Sequence, residues 1–437
     1  MKPSAVLVVL QILLVSCNAT EAPPGGEPVL RLAALDASCT EVWLEVKLAA
    51  GVQPRILTLQ RDTQTVLTTT LIATDTLIVD EGLFPNRQYT YTLTRPAGVF
   101  TDRTSAPITT MDTTSHNWTF SVDTLGDGNS SVLNDVAIIN DTLILAVGEI
   151  FLRDSTGRID PIAYSVAIWN GSNWTLKRLY YSGNNLIAPV RGIFAFGAND
   201  VWLAAGSVFH WDGVSSQAQL SFSRFTLPDP NATVEKLWGI SSTNLYGVGN
   251  AGTIVHYANG TWQRIESGTT LPVNDIWGAS NTRTGGVEIL CIASRKFQNQ
   301  GKKVLKIDVA TVSVLSDSGL PFYFSGMWFD PNKRYYIVGP GIYQKRSADD
   351  NGLWVGYPSG VVTSFYTNSI HGQGINDVVA TGAFGEVVHF NGKTWMNYYS
   401  ITQLASGSYY SVKIKGNTIV AVGSLYDRAV VVRGTRQ

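Results

Sequence analysis

Two stretches of the chain carry residues that could do chemistry. Gly252–Ile265 reads GTIVHYANGTWQRI and Gly385–Tyr398 reads GEVVHFNGKTWMNY. In each, the tryptophan follows the histidine by six residues: His256 and Trp262, His389 and Trp395. Histidine titrates near neutral pH and is the commonest nitrogen ligand of metals, so such a pair could supply metal ligands or an acid–base couple. His210, in SVFHW, belongs to the same kind of stretch. A second candidate is DGNSS from Asp127 to Ser131. Asp127, Asn129, Ser131 and the downstream Asp135 offer the oxygen ligands with which a calcium loop begins, but no bidentate glutamate follows. The favoured reading of this run is a plain turn. No Gly-x-Ser-x-Gly, His-Glu-x-x-His, phosphate loop or dinucleotide fingerprint is present, and nothing in the sequence calls for a cofactor.

The elements around these residues repeat. A small apolar residue followed by glycine ends a strand again and again: Val147-Gly148, Ala205-Gly206, Val248-Gly249, Val338-Gly339, Thr381-Gly382 and Val422-Gly423, with Ala293-Ser294 in the same place. The second residues are spaced by 58, 43, 45, 45, 43 and 41. One alternating strand lies upstream of each doublet pair, as in VNDIWGA, and another downstream, as in TIVHY; a fourth strand carries tryptophan, as in GTWQRI. Four short strands in about 45 residues, seven times over, predict a seven-bladed β-propeller, since a lone four-stranded sheet cannot bury both of its faces. The last unit lacks its tryptophan strand, whereas HNWTFSVD, with Trp118, stands unassigned before the first. The amino-terminal strand is therefore expected to complete the last blade and close the ring. His210, His256 and His389 then fall in one column of units two, three and six, too far apart to share a metal, and read as structural histidines.

These units resemble the V-W-G-x-S-x-x-D-V-W-A-V-G-x-x-G-x-I-x-H-x-x-G-x-x-W repeats of bacterial surface propellers, and more loosely Asp-box (BNR) propellers. SADDNGLW, Ser347 to Trp354, approaches the Asp-box pattern with its glycine one residue late; in that family the motif is a structural turn. The resemblance specifies architecture and hardly any chemistry.

The first strand of each propeller blade lines the central channel. One column of that strand reads Ala137, Phe194, Trp238, Trp277, Trp328, His371 and Lys413. Two readings are open. The rings of Phe194, Trp238, Trp277 and Trp328, with His371, could face a ligand such as a sugar ring, or they could pack between blades. A propeller hydrolase would need paired carboxylates, and the acids of this chain are scattered.

Ahead of the repeats, from about residue 29 to 113, short alternating strands such as VWLEVKL and QYTYTLTR are separated by turn residues. LFPNRQYTYTL resembles the E–F corner of fibronectin type III domains. The resemblance implies that the hydroxyl of Tyr89 bonds back to the corner backbone while its ring packs in the core. The segment shows no ligand motif and reads as a spacer.

The chain begins with Lys2 and an apolar run from Ala5 to Val15, too short to cross a bilayer and typical of a leader. The run ends in Leu14-Val15-Ser16-Cys17, which resembles the lipobox of bacterial lipoproteins. That resemblance implies a signal peptide over residues 1–16, lipid on Cys17, and an envelope location on the outer membrane, facing outward. Residues 17–28 are a polar Pro/Gly tether. Cys39 and Cys291 fall in different domains and read as small buried hydrophobes rather than a disulfide. The eight Asn-x-Ser/Thr sites, at 18, 117, 129, 140, 170, 173, 231 and 259, read as turns.

Length and composition bound the function. At 437 residues the chain exceeds one ordinary core; 44% hydrophobic against 15% charged residues mark it as globular, and a net charge of −1 offers no field for nucleic acid. The expectation is an all-β protein: a fibronectin III-like sandwich over 29–113, then a seven-bladed propeller over 114–437. It would be a membrane-anchored module binding an unidentified protein or glycan. The alternatives are a polysaccharide-active hydrolase or lyase, and a structural part of an envelope assembly.

Overall fold

The computed structural model describes residues 7–9, 30–49, 55–71, 73–97, 100–298 and 301–437; Cys17 and the tether lie outside the described residues. The fold is all-β, and the chain divides into two compact units near Thr114.

The first unit holds two four-stranded antiparallel sheets. In one, Leu30–Ala37, Glu41–Leu48 and Asp75–Glu81 pair in that spatial order. Leu7–Val9, inside the segment read as a leader, adds a short strand along Asp75–Glu81. The other sheet runs Gln64–Leu71, Arg55–Arg61, Gln88–Ala97, Phe100–Thr109. Alternate residues of both sheets, among them Val42, Leu44, Val46, Leu57, Leu59 and Tyr91, form one apolar core, as the period-two side-chain rule requires. Tyr89 is buried, and its hydroxyl accepts a hydrogen bond from the Phe84 amide at 3.0 Å. Asp80, fully buried, takes the Tyr91 hydroxyl at 2.7 Å and the Arg61 guanidinium at 2.8 Å, so its charge is not left bare.

The second unit holds seven four-stranded antiparallel sheets, in which successive strands of the chain pair side by side. Their inner strands are Val132–Asn140, Gly192–Gly197, Lys236–Ser241, Val273–Asn281, Gly326–Asp330, Thr367–Gly374 and Ser408–Lys415. Each inner strand adjoins that of the next sheet, and Ser408–Lys415 adjoins Val132–Asn140. The seventh sheet takes its outermost strand, Trp118–Leu125, from ahead of the first; it pairs in register with Ala429–Arg436.

Glycine in the repeated doublets has a specific cause. A Cβ on Gly148 would lie 2.0 Å from the carbonyl oxygen of Val132, and one on Gly423 would lie 1.8 Å from that of Ser408. At Gly148, Gly249, Gly382 and Gly423 the chain entering the inner strand passes where a side chain would stand, so only glycine fits, whereas Gly206 turns the chain at a φ of +74°. Where the doublet ends in Ser294, the hydroxyl bonds to both the amide and the carbonyl of Phe324 in the following sheet instead.

Candidate functional site

The inner-strand column expected to face the channel separates into two groups. Trp238 and Trp328 are 6% and 4% exposed. A Cβ on Gly278 would fall 2.4 Å from the Trp238 ring, and one on Gly372 would fall 2.7 Å from the Trp328 ring. Each indole thus lies on a glycine of the following sheet and packs between sheets. Phe194 is half-buried against Phe196 and joins the two cores that flank the third sheet. For Trp277 the equivalent seat in the next sheet is filled by Phe329, whose carbonyl accepts the Trp277 Nε1–H at 3.1 Å. Trp277 turns inward, where its ring meets His371 of the sixth sheet edge-on at 5.1 Å and lies 5.6 Å below the Lys413 ammonium of the seventh. Residues from three sheets converge there on the Trp277 ring.

Two residues earlier on the same strands runs a polar column that the reading of the repeats overlooked: Asp135, Gly192, Lys236, Asp275, Gly326, Ser369 and Ser411. Asp135 accepts Ser411 Oγ at 2.6 Å, Lys236 Nζ at 3.0 Å, and the backbone amides of Val136 and of Ile193 in the next sheet. Asp275 accepts the amides of Ile276 and of Met327 in its next sheet. Ser369 likewise accepts the Val412 amide. Before these residues the strands bulge at Asn134, Asn274 and Asn368. Their amide groups donate to carbonyls of the following sheet at Val190, Phe324 and Tyr409. A bulge frees one residue from the ladder, and asparagine uses that freedom to tie neighbouring sheets together. The signal was legible as Asn-Asp or Asn-Ser two residues ahead of the aromatic column.

Electrostatics follow from this crowding. Burial alone would raise the pKa of Asp135, but Lys236, Lys413 and the Ser411 hydroxyl outweigh it and hold the carboxyl below its usual range. Burial raises Asp275, with Lys236 and Lys413 opposing. Burial and the nearby Lys236 lower Lys413. His371 is pushed well below its ordinary value, by burial first and Lys413 second. The neutral ring fits its geometry, since Nδ1 accepts the Ile414 amide. The cavity over this cluster measures about 40 Å³. That holds a few waters, against roughly 300 Å³ or more for an ordinary ligand pocket. The polar column therefore acts as a set of inter-sheet clamps.

The three repeat histidines each bond to the residue that opens the second strand of their own sheet: His210 to Asp200 at 2.9 Å, His256 to Asn244 at 2.8 Å, His389 to Asp377 at 2.7 Å. His256 stacks on Tyr246 at 4.0 Å, and His210 stacks on Trp202. Among the described residues no cluster of three His, Cys, Asp or Glu could hold a metal. The calcium-loop candidates are dispersed. Asp127 accepts the Arg153 amide, Asn129 turns the chain with positive φ, Ser131 is buried and bonds the Gly128 carbonyl, and Asp135 belongs to the channel. SADDNGLW lies between the third and fourth strands of the fifth sheet, with Lys345 bonded to Asp350 and Trp354 buried. Asn140 and Asn170 cap turns, accepting the amides of Thr142 and Ser172. Cys39 and Cys291 are buried free thiols.

A larger feature lies at the end of the second unit where the inner strands begin. Loops there enclose an open groove of about 560 Å³, bordered by Asn231, Asn250, Thr270, Arg295, Lys296 and Gln298. Beside it Phe297 is 74% exposed, its ring 5.3 Å from Tyr323 and 5.8 Å from Tyr366. Phe365, next in sequence, meets Phe384 and Tyr399 on the same end. The rings come from loops of three sheets, and no local spacing announces them.

No family model matches the sequence, and no curated protein matches it significantly. A solved structure of YCF48 bound to a D1 peptide is similar in fold, with a TM-score of 0.54 at 14% identity over 73% of this chain and 95% of that one. A quinoprotein alcohol dehydrogenase-like protein from Bacteroides thetaiotaomicron aligns with a TM-score of 0.35 at 9% identity, over 92% and 95% of the two chains. The fold of the second unit is that of a β-propeller.

Proposed function

We propose that this protein is a lipid-anchored binding module of the bacterial envelope. A fibronectin III-like sandwich would hold a closed seven-bladed propeller away from the membrane, and the loop end of that propeller would take a protein or glycan ligand. The single observation that carries the binding reading is the open groove of about 560 Å³ beside exposed aromatic rings, a volume in the usual range for ligand sites. The space left beside Trp277 and the inner-strand clamps, about 40 Å³, is too small for such a ligand, which favours the loop end as the working surface. Both channel carboxylates, Asp135 and Asp275, are held by backbone amides, which weighs against a hydrolase using them as free acid and base. The peptide complex of YCF48 supports binding as a role for a propeller of this shape.

Closure is supported by the pairing of Trp118–Leu125 with Ala429–Arg436 and by the cyclic adjacency of the inner strands. The three-plus-four strand order of residues 30–109 and the Tyr89–Phe84 bond support the fibronectin-like reading. Lipidation rests on Val15-Ser16-Cys17.

Two experiments test the proposal. A glycan and peptide array probed with the purified chain should give hits that Phe297→Ala weakens; an array with no hit of either class would remove the binding reading. Cys17→Ala should abolish lipid labelling and release the protein from the outer-membrane fraction, and unchanged fractionation without label on the parent would end the anchor reading.

A further inference from the structure

We infer that the groove recognises a carboxylate-bearing glycan, with Arg295 and Lys296 as the anion contacts and Phe297 as the stacking platform. The inference rests on the binding reading above and names its ligand class.

Charge comes first. Several cations in this part of the propeller face acids, Lys236 with Asp135, Lys302 with Asp317, Lys306 with Asp349 and Lys345 with Asp350, while Lys303 bonds the Gly268 carbonyl. Arg295 and Lys296 are adjacent, exposed, and line the groove, and no ion pair to either is found among the described residues. Loss of hydration first and the Lys236 charge second lower the pKa of Lys296, with the Asp275 carboxylate opposing them. An anion in the groove would relieve both effects, and a planar carboxylate suits the guanidinium fork of Arg295.

The polar lining favours a sugar over a peptide. The side-chain amides of Asn231 and Gln298 and the hydroxyl of Thr270 line an open groove, with no side-chain hydrogen bond of theirs found among the described residues, ready to exchange bonds with hydroxyl groups. Asp229, on the same groove, spends one oxygen on the Asn231 amide and keeps the other to accept a hydroxyl. The walls are loops and strand ends, so they provide no free strand edge for an extended peptide to join. Phe297 is held upright by Tyr323 and Tyr366 and offers a ring face to the apolar side of a pyranose.

The test uses the full chain in detergent and four probes: oligogalacturonate, the same oligosaccharide with its carboxyls reduced, a neutral cello-oligosaccharide, and oligoglutamate. Titration calorimetry should show oligogalacturonate binding at least tenfold tighter than its reduced form, weakening as salt rises. The double variant Arg295→Ala/Lys296→Ala should lose that preference while melting as the parent does, and Phe297→Ala should weaken acidic and reduced sugars alike. Equal binding of the acidic and reduced sugars, a double variant with unchanged affinity, or no oligogalacturonate binding would each overturn the carboxylate assignment. A neutral sugar that still bound would leave the broader binding reading standing. Oligoglutamate binding tighter than oligogalacturonate would replace the glycan with an acidic peptide.

Discussion

Trp277 of the fourth sheet and His371 of the sixth meet across the channel, ring centroids 5.1 Å apart and ring planes at 86°. The contact exists because the next sheet offers Trp277 a phenylalanine where Trp238 and Trp328 find glycine, so that one indole of three is turned into the axis. Burial first and the nearby Lys413 second push the His371 pKa well below its ordinary value. The pair shows how a position that repeats in sequence can serve two structural ends.

A pH dependence follows. The folded pKa of His371 lies well below 6.5, so the unfolded chain binds a proton that the folded chain refuses. Stability then falls with pH below about 6.5, by about 1.4 kcal/mol per unit from this one group until its folded pKa is reached. In urea titrations between pH 7.5 and 5.5, His371→Gln should show a shallower loss than the parent. Parallel slopes would mean that folding does not lower the His371 pKa.

Glycine at position 278 is a seat for the Trp238 ring. Gly278→Ala should destabilise the propeller by about 1–3 kcal/mol, the usual cost of overpacking a core. Gly197 has open space where its Cβ would be and no positive φ, so Gly197→Ala should stay within about 0.5 kcal/mol of the parent. Thermal melts of the two variants give the comparison directly.

Around the amino-terminal strand a polar knot forms. Asp377 accepts His389 at 2.7 Å and Arg436 at 2.5 Å, His389 meets His116 at 2.9 Å, and Arg436 lies over Trp118. Asp377→Ala leaves a buried histidine and a largely buried arginine without their acceptor, and should cost about 3–5 kcal/mol. Burial alone would raise the Asp377 pKa, but His389, Arg436 and Gln373 hold it below 3.8. The stabilisation it supplies is therefore complete above that pH and is lost as pH falls through the lower folded value. Denaturation of parent and variant should differ by a constant amount above pH 5 and converge in stronger acid.

In the first unit, Tyr89→Phe removes only the hydroxyl that accepts the Phe84 amide. The expected loss is about 1–2 kcal/mol, typical of a partly buried amide left without its acceptor, with no change in ligand binding by the second unit. Urea unfolding followed by circular dichroism would detect it. An unchanged midpoint would show the corner to be held by packing alone.

Much of the architecture was legible because it is written in local, repeated chemistry. Alternation made the strands, and the doublet glycines marked where one chain segment passes over another. The orphan Trp118 strand pointed to the missing edge of the seventh sheet, and Tyr89 pointed to its own bond with the corner. The same periodicity placed the three repeat histidines in one column, each bonded to the residue that opens the second strand of its own sheet. What the repeat could not show is which members of a column face one another. Trp238, Trp277 and Trp328 are equivalent in sequence, and only the residue opposite each in the next sheet, glycine or phenylalanine, decides between a seat in the wall and a place in the channel. The groove is further still from local reading, since Asn231, Asn250, Thr270 and Arg295 lie on four loops of different lengths. Spacing along a strand is set by the backbone's own geometry, whereas the meeting of loops depends on how whole sheets stack, and that is decided by packing between residues far apart in the chain.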